Sequence, residues 1–143
     1  FSLATSASSR TSLMSVSMSL PSAIGDVLSQ EKKEFAAVMD AIEDSFEFRP
    51  VPFQCGELAS EAGTNSGSAK IFSLGKLAEL DEAQTLALFG QYYQDVKDTP
   101  DGDDHGNIRN FMKSGWAGVD FPAGLALIPK GSAYEYEASQ EMY

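Results

Sequence analysis

The feature that most constrains the fold is an apolar spacing of three and four residues that begins near Glu31. Charged residues such as Asp40 and Glu43 fill the positions between the apolar ones. This period places the apolar side chains on one face of an α-helix. We predict a helix over residues 31–45, followed by the extended backbone that Pro50 and Pro52 require. Its apolar positions are Phe35, Val38, Met39, Ile42 and Phe46.

Apolar spacing and capping signals predict further helices. Residues 22–28 can form a short one after Pro21, and Asp81 with Gln84 is close to a capping box. Residues 116–127 are apolar but interrupted by Gly and Pro, which is typical of a short strand or an extended cover. Four or five helices in about 120 residues indicate a compact, all-α single domain. The main predicted helices are 68–79, 82–97 and 105–114. The predicted core is Phe35, Met39, Ile42, Phe72, Leu77, Leu86, Phe89, Phe111 and Trp116.

The two ends of the chain differ from the middle in composition. Residues 1–25 contain eleven Ser or Thr, a single Arg and no acidic residue, which is typical of a transit peptide. Phe1 resembles the leading residue of plastid signals in algae with secondary plastids. A partner-binding arm or a Ser-rich linker is the alternative. We therefore divide the chain into an N-terminal arm (1–25), a helical domain (26–128) and an acidic tail (129–143), and we predict a plastid location.

Charge and rare residues limit the classes of function. The net charge of −11 repels nucleic-acid backbones and anionic lipids, and it favours a protein partner with a basic face. One Cys and one His provide neither a disulfide nor a zinc site. No apolar run reaches the 18 residues of a membrane-spanning helix, and no phosphate-binding loop motif is found.

Two polar clusters are candidates for a site. Paired carboxylates in the first could bind a divalent cation or transfer protons, and His105 beside Asp104 could act as a base. We favour a structural role for both clusters, in which these side chains cap helices and bond locally. We also predict that Arg109 pairs with an acidic side chain or with carbonyls of the loop 56–68. The first cluster is Glu57, Glu61, Asn65 and Ser68, and the second is Asp104, His105, Asn107, Arg109 and Asn110.

Three segments together resemble one known family. Residues 56–72, 82–93 and 103–116 are similar to the HopJ type III effector family, small domains found in proteobacteria and in plastid-bearing algae. The resemblance covers roughly residues 31–125 and implies no general activity. Family members often carry Asn where this chain has Cys55, and Cys where it has Ala69. The resemblance therefore argues against a cysteine nucleophile before Lys70.

These observations favour a binding protein over an enzyme. We predict an accessory or linker subunit of a plastid assembly, soluble or peripheral on the thylakoid, whose partners are photosystem core or light-harvesting proteins. No cofactor is required, and whether a pigment binds is left open. The alternative is a small enzyme or ligand-binding protein that uses the loop 56–68 and the helix start 104–110, which a pocket between them would favour. A secreted effector, suggested by the family name, is a third interpretation.

Overall fold

The structure is a computed structural model that describes residues 20–130. Most of the predicted arm and tail lie outside this range. Within it, no helix has both the length and the apolar character needed to cross a bilayer. The helices are α1 (Ser22–Leu28), α2 (Phe35–Ser45), α3 (Ser66–Leu77), α4 (Glu82–Ala87), α5 (Gln91–Asp98) and α6 (Gly106–Ser114), followed by a 3₁₀ turn (Gly115–Gly118). The strands are β1 (Phe46–Phe48), β2 (Phe53–Cys55), β3 (Leu58–Ser60), β4 (Val119–Asp120) and β5 (Leu127–Pro129).

The prediction of an all-α fold is wrong, because the described domain contains two small antiparallel sheets beside its helices. Strand β1 pairs with β5, with Phe46 opposite Pro129, and β2 lies between β3 and β4. The turn that joins β2 to β3 begins at Gly56, whose φ of 61° suits glycine. The short strand that was one of the two interpretations of residues 116–127 is found there as β4. The strands before it have three residues each, which is too short to show an alternating pattern, so the sequence did not reveal them.

Each predicted helix has a counterpart in the structure, but the one predicted over residues 82–97 is divided into two helices, α4 and α5. The capping box of Asp81 and Gln84 is confirmed at the start of α4. The prediction of one helix over 82–97 is wrong, because the chain breaks at Gly90, which has a φ of 59°. A Cβ at this glycine would lie 2.7 Å from the backbone nitrogen of Phe35. The break thus allows α5 to start directly against the backbone at the beginning of α2.

The core is centred on Phe72 of α3, which has no exposed surface. Its ring centroid lies 5.0 Å from that of Phe111 and 5.7 Å from that of Phe89. The rings of Phe53 and Trp116 complete the cluster at 6.1 and 6.3 Å. One side chain therefore joins α3 to β2, α6, the 3₁₀ turn and the segment after α4.

Most of the predicted core is confirmed. Phe35, Met39 and Trp116 are partly buried against the core. Leu77 is the exception, since it is the last residue of α3 and 36 % of its surface is exposed. The fully confirmed members are Ile42, Phe72, Leu86, Phe89 and Phe111, all of them buried.

Replacing Phe72 by Ala should lower the free energy of unfolding by about 3–5 kcal/mol, because it leaves a cavity where four other rings meet. Urea unfolding followed by circular dichroism measures the loss. The matched control is Leu77→Ala on the same helix. Because the Leu77 side chain is already partly in solvent, this substitution should lower the free energy of unfolding much less. Equal losses for the two variants would contradict the central position of Phe72.

Candidate functional site

A cavity of about 220 Å³ lies where the two predicted polar clusters meet. Its floor is formed by buried side chains, among them Asn107 and Ile108. Its rim carries Asn65, which is exposed, and His105, whose side chain is 31 % exposed. The cavity is lined by Phe35, Leu58, Asn65, Gly67, Ser68, Phe89, Tyr92, His105, Gly106, Asn107 and Ile108.

Helices α3 and α6 both begin at this cavity, and they begin in the same way. The residue before each helix, Asn65 or His105, has a left-handed backbone conformation with a φ of 52°, and neither side chain caps its helix. The first backbone hydrogen bond of α3 runs from the N–H of Ala69 to the carbonyl of Asn65, and that of α6 runs from the N–H of Arg109 to the carbonyl of His105. The N–H groups of residues 66–68 and 106–108 therefore have no acceptor within their helices. Each helix start also carries the positive end of its dipole.

The side chain of Asn107 is the most unusual group in the cavity floor. It is 4 % exposed, and its Oδ1 atom has no hydrogen-bond partner among the described residues. Its backbone oxygen accepts a bond of 3.5 Å from the Cys55 thiol, whose pKa is raised to about 11 by burial. An unpaired buried polar group of this kind costs about 1–3 kcal/mol of stability.

Aromatic rings form the other wall of the cavity. Phe35 and Tyr92 meet edge to face with their centroids 4.9 Å apart, and Tyr92 lies 5.4 Å from the ring of His105. A Cβ at Gly67 would lie 2.9 Å from Cζ of Phe35, so the glycine lets this wall approach α3 closely. The cavity therefore has a polar side at the helix starts and an apolar side at α2 and α5.

The structure brings four of the nine predicted site residues together in the cavity. These are Asn65, Ser68, His105 and Asn107. The paired carboxylates do not converge, since Glu57 and Glu61 are exposed and neither lines the cavity. Within residues 20–130, no three His, Cys, Asp or Glu side chains lie close enough together to bind a metal ion. The remaining predicted residues outside the cavity are Asp104, Arg109 and Asn110.

Sequence reasoning missed the apolar wall of the site. Phe35, Leu58, Phe89, Tyr92 and Ile108 occupy ordinary core positions in the apolar pattern, and nothing in their spacing marks them as lining residues. The two glycines Gly67 and Gly106 were a usable signal. Gly106 directly follows His105, and Gly67 comes two residues after Asn65; Asn and His adopt the left-handed conformation more often than most residues.

The predicted contact between Arg109 and the loop 56–68 is wrong. The guanidinium bonds instead to Thr99, through its backbone oxygen at 2.7 Å and its hydroxyl at 3.0 Å, and to the backbone oxygen and carboxylate of Asp104. The hydrogen bond from Arg109 lowers the pKa of Asp104. Asn110 makes the link to the loop, since its Oδ1 accepts from the backbone N–H of Glu57 at 3.4 Å. Arg109 thus fixes the turn before α6, and Asn110 fixes α6 to the β2–β3 turn.

Arg109→Ala should still destabilise the domain, by about 0.5–1.5 kcal/mol, because it removes donors from the exposed carbonyls of Thr99 and Asp104, of which the first keeps its bond from the Gly102 N–H. The ion pair itself adds little, since the Asp104 side chain is 65 % exposed. Chemical denaturation measures the change, with Lys113→Ala on the same helix as the exposed control. A midpoint that moves no further for Arg109→Ala than for the control would show that the guanidinium contacts contribute nothing.

The fold and the cavity define a small mixed α and β domain with a polar cleft between two helix starts. A model of the HopJ type III effector protein family matches residues 23–126, and the chain belongs to this family. The resemblance seen in the sequence is therefore confirmed. The matched range includes every residue that lines the cavity.

A solved structure supports the same conclusion. It is described as the crystal structure of the unknown-function protein VPA0580 and is 44 % identical to this chain, with a TM-score of 0.70. The match covers 73 % of this chain and 89 % of that one. No curated protein matches the chain. The plastid location stays a prediction.

Proposed function

We propose that this domain binds a small molecule in the cleft between the starts of α3 and α6. The observation that carries the proposal is the buried amide of Asn107, whose oxygen has no partner among the described residues. Buried polar atoms are nearly always paired, so each exception needs an explanation. Within residues 20–130 there is one other such side-chain atom, Oγ of Ser45, and Ser45 does not line the cleft. A ligand that reached this amide from the cleft would give it the partner that it lacks among the described residues.

The size and walls of the cleft limit the ligand. A volume of about 220 Å³ is enough to hold a small metabolite and lies below the roughly 300–1,000 Å³ of sites for drug-sized ligands. The rings of Phe35 and Tyr92 provide an apolar surface opposite the polar helix starts. The ligand should therefore be small, with one polar end and a short carbon skeleton.

Two Asn residues on α6 offer a matched test. Asn107→Leu replaces an unpaired amide, so the free energy of unfolding should rise, on the order of 1 kcal/mol, while ligand binding is lost. Asn110→Leu replaces an amide that donates to the Gly106 carbonyl at 2.9 Å and accepts from the Glu57 N–H. This substitution should therefore lower the free energy of unfolding by about 1–3 kcal/mol. Thermal and urea unfolding of both variants measure these opposite changes.

Binding is followed by amide chemical shifts of the ¹⁵N-labelled protein in a screen of small metabolites and fragments. Hits should shift the signals of residues 66–68 and 106–108 in the wild-type protein, and they should shift them less in Asn107→Leu. A screen without such hits would overturn the proposal, as would hits that bind Asn107→Leu equally well.

The composition of the chain also favours the accessory role predicted above. Net charge is −11, and the acid-free, Ser-rich residues 1–19, which precede the described domain, show no apolar period for a core of their own. Segments of such composition gain order when they bind along a partner. An accessory subunit that also binds a small ligand combines both properties.

Deleting residues 1–20 should weaken retention of the protein on isolated photosystem–antenna complexes, because the arm would be an anchor. A salt series separates the contribution of the acidic body, since charge contacts are screened over about 8 Å at physiological ionic strength. The full chain is the control. Equal retention of the two proteins would exclude the arm as an anchor, and failure of the full chain to cofractionate would exclude the accessory role.

A further inference from the structure

We infer that the ligand of this cleft is a small anion, a carboxylate or a phosphate, held by backbone N–H groups at the starts of both α3 and α6. This inference rests on the proposed function and adds the chemical class of the ligand. Anions bind at helix starts because free N–H groups point at them and the helix dipole favours negative charge. Here two helices of twelve and nine residues begin at one cleft, and neither is capped by its own side chain.

The helix start at α4 shows how this chain satisfies such groups elsewhere. There the Asp81 carboxylate accepts from the backbone N–H of Gln84 at 2.7 Å, and the Gln84 side chain accepts from Asp81 in return. At the cleft, the residues in the corresponding positions are Asn65 and His105, whose left-handed backbone turns their side chains away from this role. The Asn65 amide donates instead to Oγ of Ser60 at 2.8 Å. The N–H groups of the two first turns are left for another acceptor.

The distribution of charge around the cleft agrees with an anion. The chain has 21 acidic residues, yet none of the residues that line the cleft in the described domain is Asp or Glu. The acidic residue next in sequence to the rim, Asp104, is engaged by the Arg109 guanidinium at 2.7 Å. The ring of His105 lines the rim and adds a hydrogen-bonding group there.

The amide of Asn107 provides the last polar contact. A half-turn of the carboxamide exchanges its N–H₂ group with its oxygen, so it can donate to an anionic oxygen or accept from a hydroxyl of the ligand. The negative headgroup would lie at the helix starts, and the carbon skeleton would face Phe35 and Tyr92. Three-carbon hydroxy acids and their phosphate counterparts have the required size for a cavity of about 220 Å³.

Three closely related probes test the charge requirement. Glycerate carries the carboxylate, glyceramide is its neutral isostere, and glycerol 3-phosphate carries the phosphate. We expect glycerate, glycerol 3-phosphate or both to bind roughly tenfold or more tightly than glyceramide, measured by amide shifts at residues 66–68 and 106–108. The tighter of the two anions identifies the headgroup. Equal binding of glyceramide would overturn the inference.

An isosteric substitution then tests the position of the anion. Asn65→Asp places a negative charge at the start of α3. It should not lower the melting temperature, because the helix dipole favours the charge and the Ser60 hydroxyl can donate to the new carboxylate in place of the bond that it accepts from Asn65. The substitution should nevertheless weaken binding of the anionic probe by roughly tenfold and leave the binding of neutral fragments unchanged. Gln30→Glu, at an exposed position outside the cleft, adds the same charge and should change neither measurement.

The results separate the two proposals. If neutral fragments bind the cleft and none of the anions does, the anion inference fails and the ligand-binding function stands. If a broad fragment screen finds nothing that shifts the cleft amides, both fail together. Undiminished anion binding by Asn65→Asp would show that the anion lies elsewhere and would overturn the inference.

Discussion

The packing of rings around Phe72 determines where everything else in this domain lies. Phe72 is six residues into α3 and Phe111 is five residues into α6, and their centroids are 5.0 Å apart. At a rise of about 1.5 Å per residue, both helices begin roughly 8–9 Å along their axes from this contact. Residues from both helix starts line the one cleft. The contact between Phe72 and Phe111 therefore holds together the two helices whose starts form the cleft.

The helices could be predicted from the sequence because their signals are local. Apolar spacing identified α2, and the capping box located the start of α4 to the residue. The break at Gly90 could not be predicted in this way, because its cause is the backbone of Phe35, more than fifty residues earlier in the chain. The sheets were missed for a similar reason. Strands of two or three residues form through pairing with distant partners, and Cys55 opposite Val119 is one such pair.

The site was predicted in part, and the residues show why. Polar, glycine-rich segments are visible in a sequence, so Asn65, Ser68, His105 and Asn107 were recognised as candidates. The partner of each polar group depends on the relative positions of elements, and for this reason the link to the β2–β3 turn was assigned to Arg109 when Asn110 makes it. The orphaned amide of Asn107 and the ring wall at Tyr92 become evident only when the elements have been assembled.

The pairing of β1 with β5 has a consequence for how quickly the domain can form. Phe46 directly follows α2, whereas Pro129 is the last residue of the last described strand, and the two strands that pair have three residues each. Helices form within about a microsecond, whereas closure of so long a loop costs entropy before any contact compensates for it. Folding should therefore be limited by this late closure and not by the helices. Until the chain has been made as far as Pro129, β1 has an unpaired edge that a chaperone or another copy could occupy.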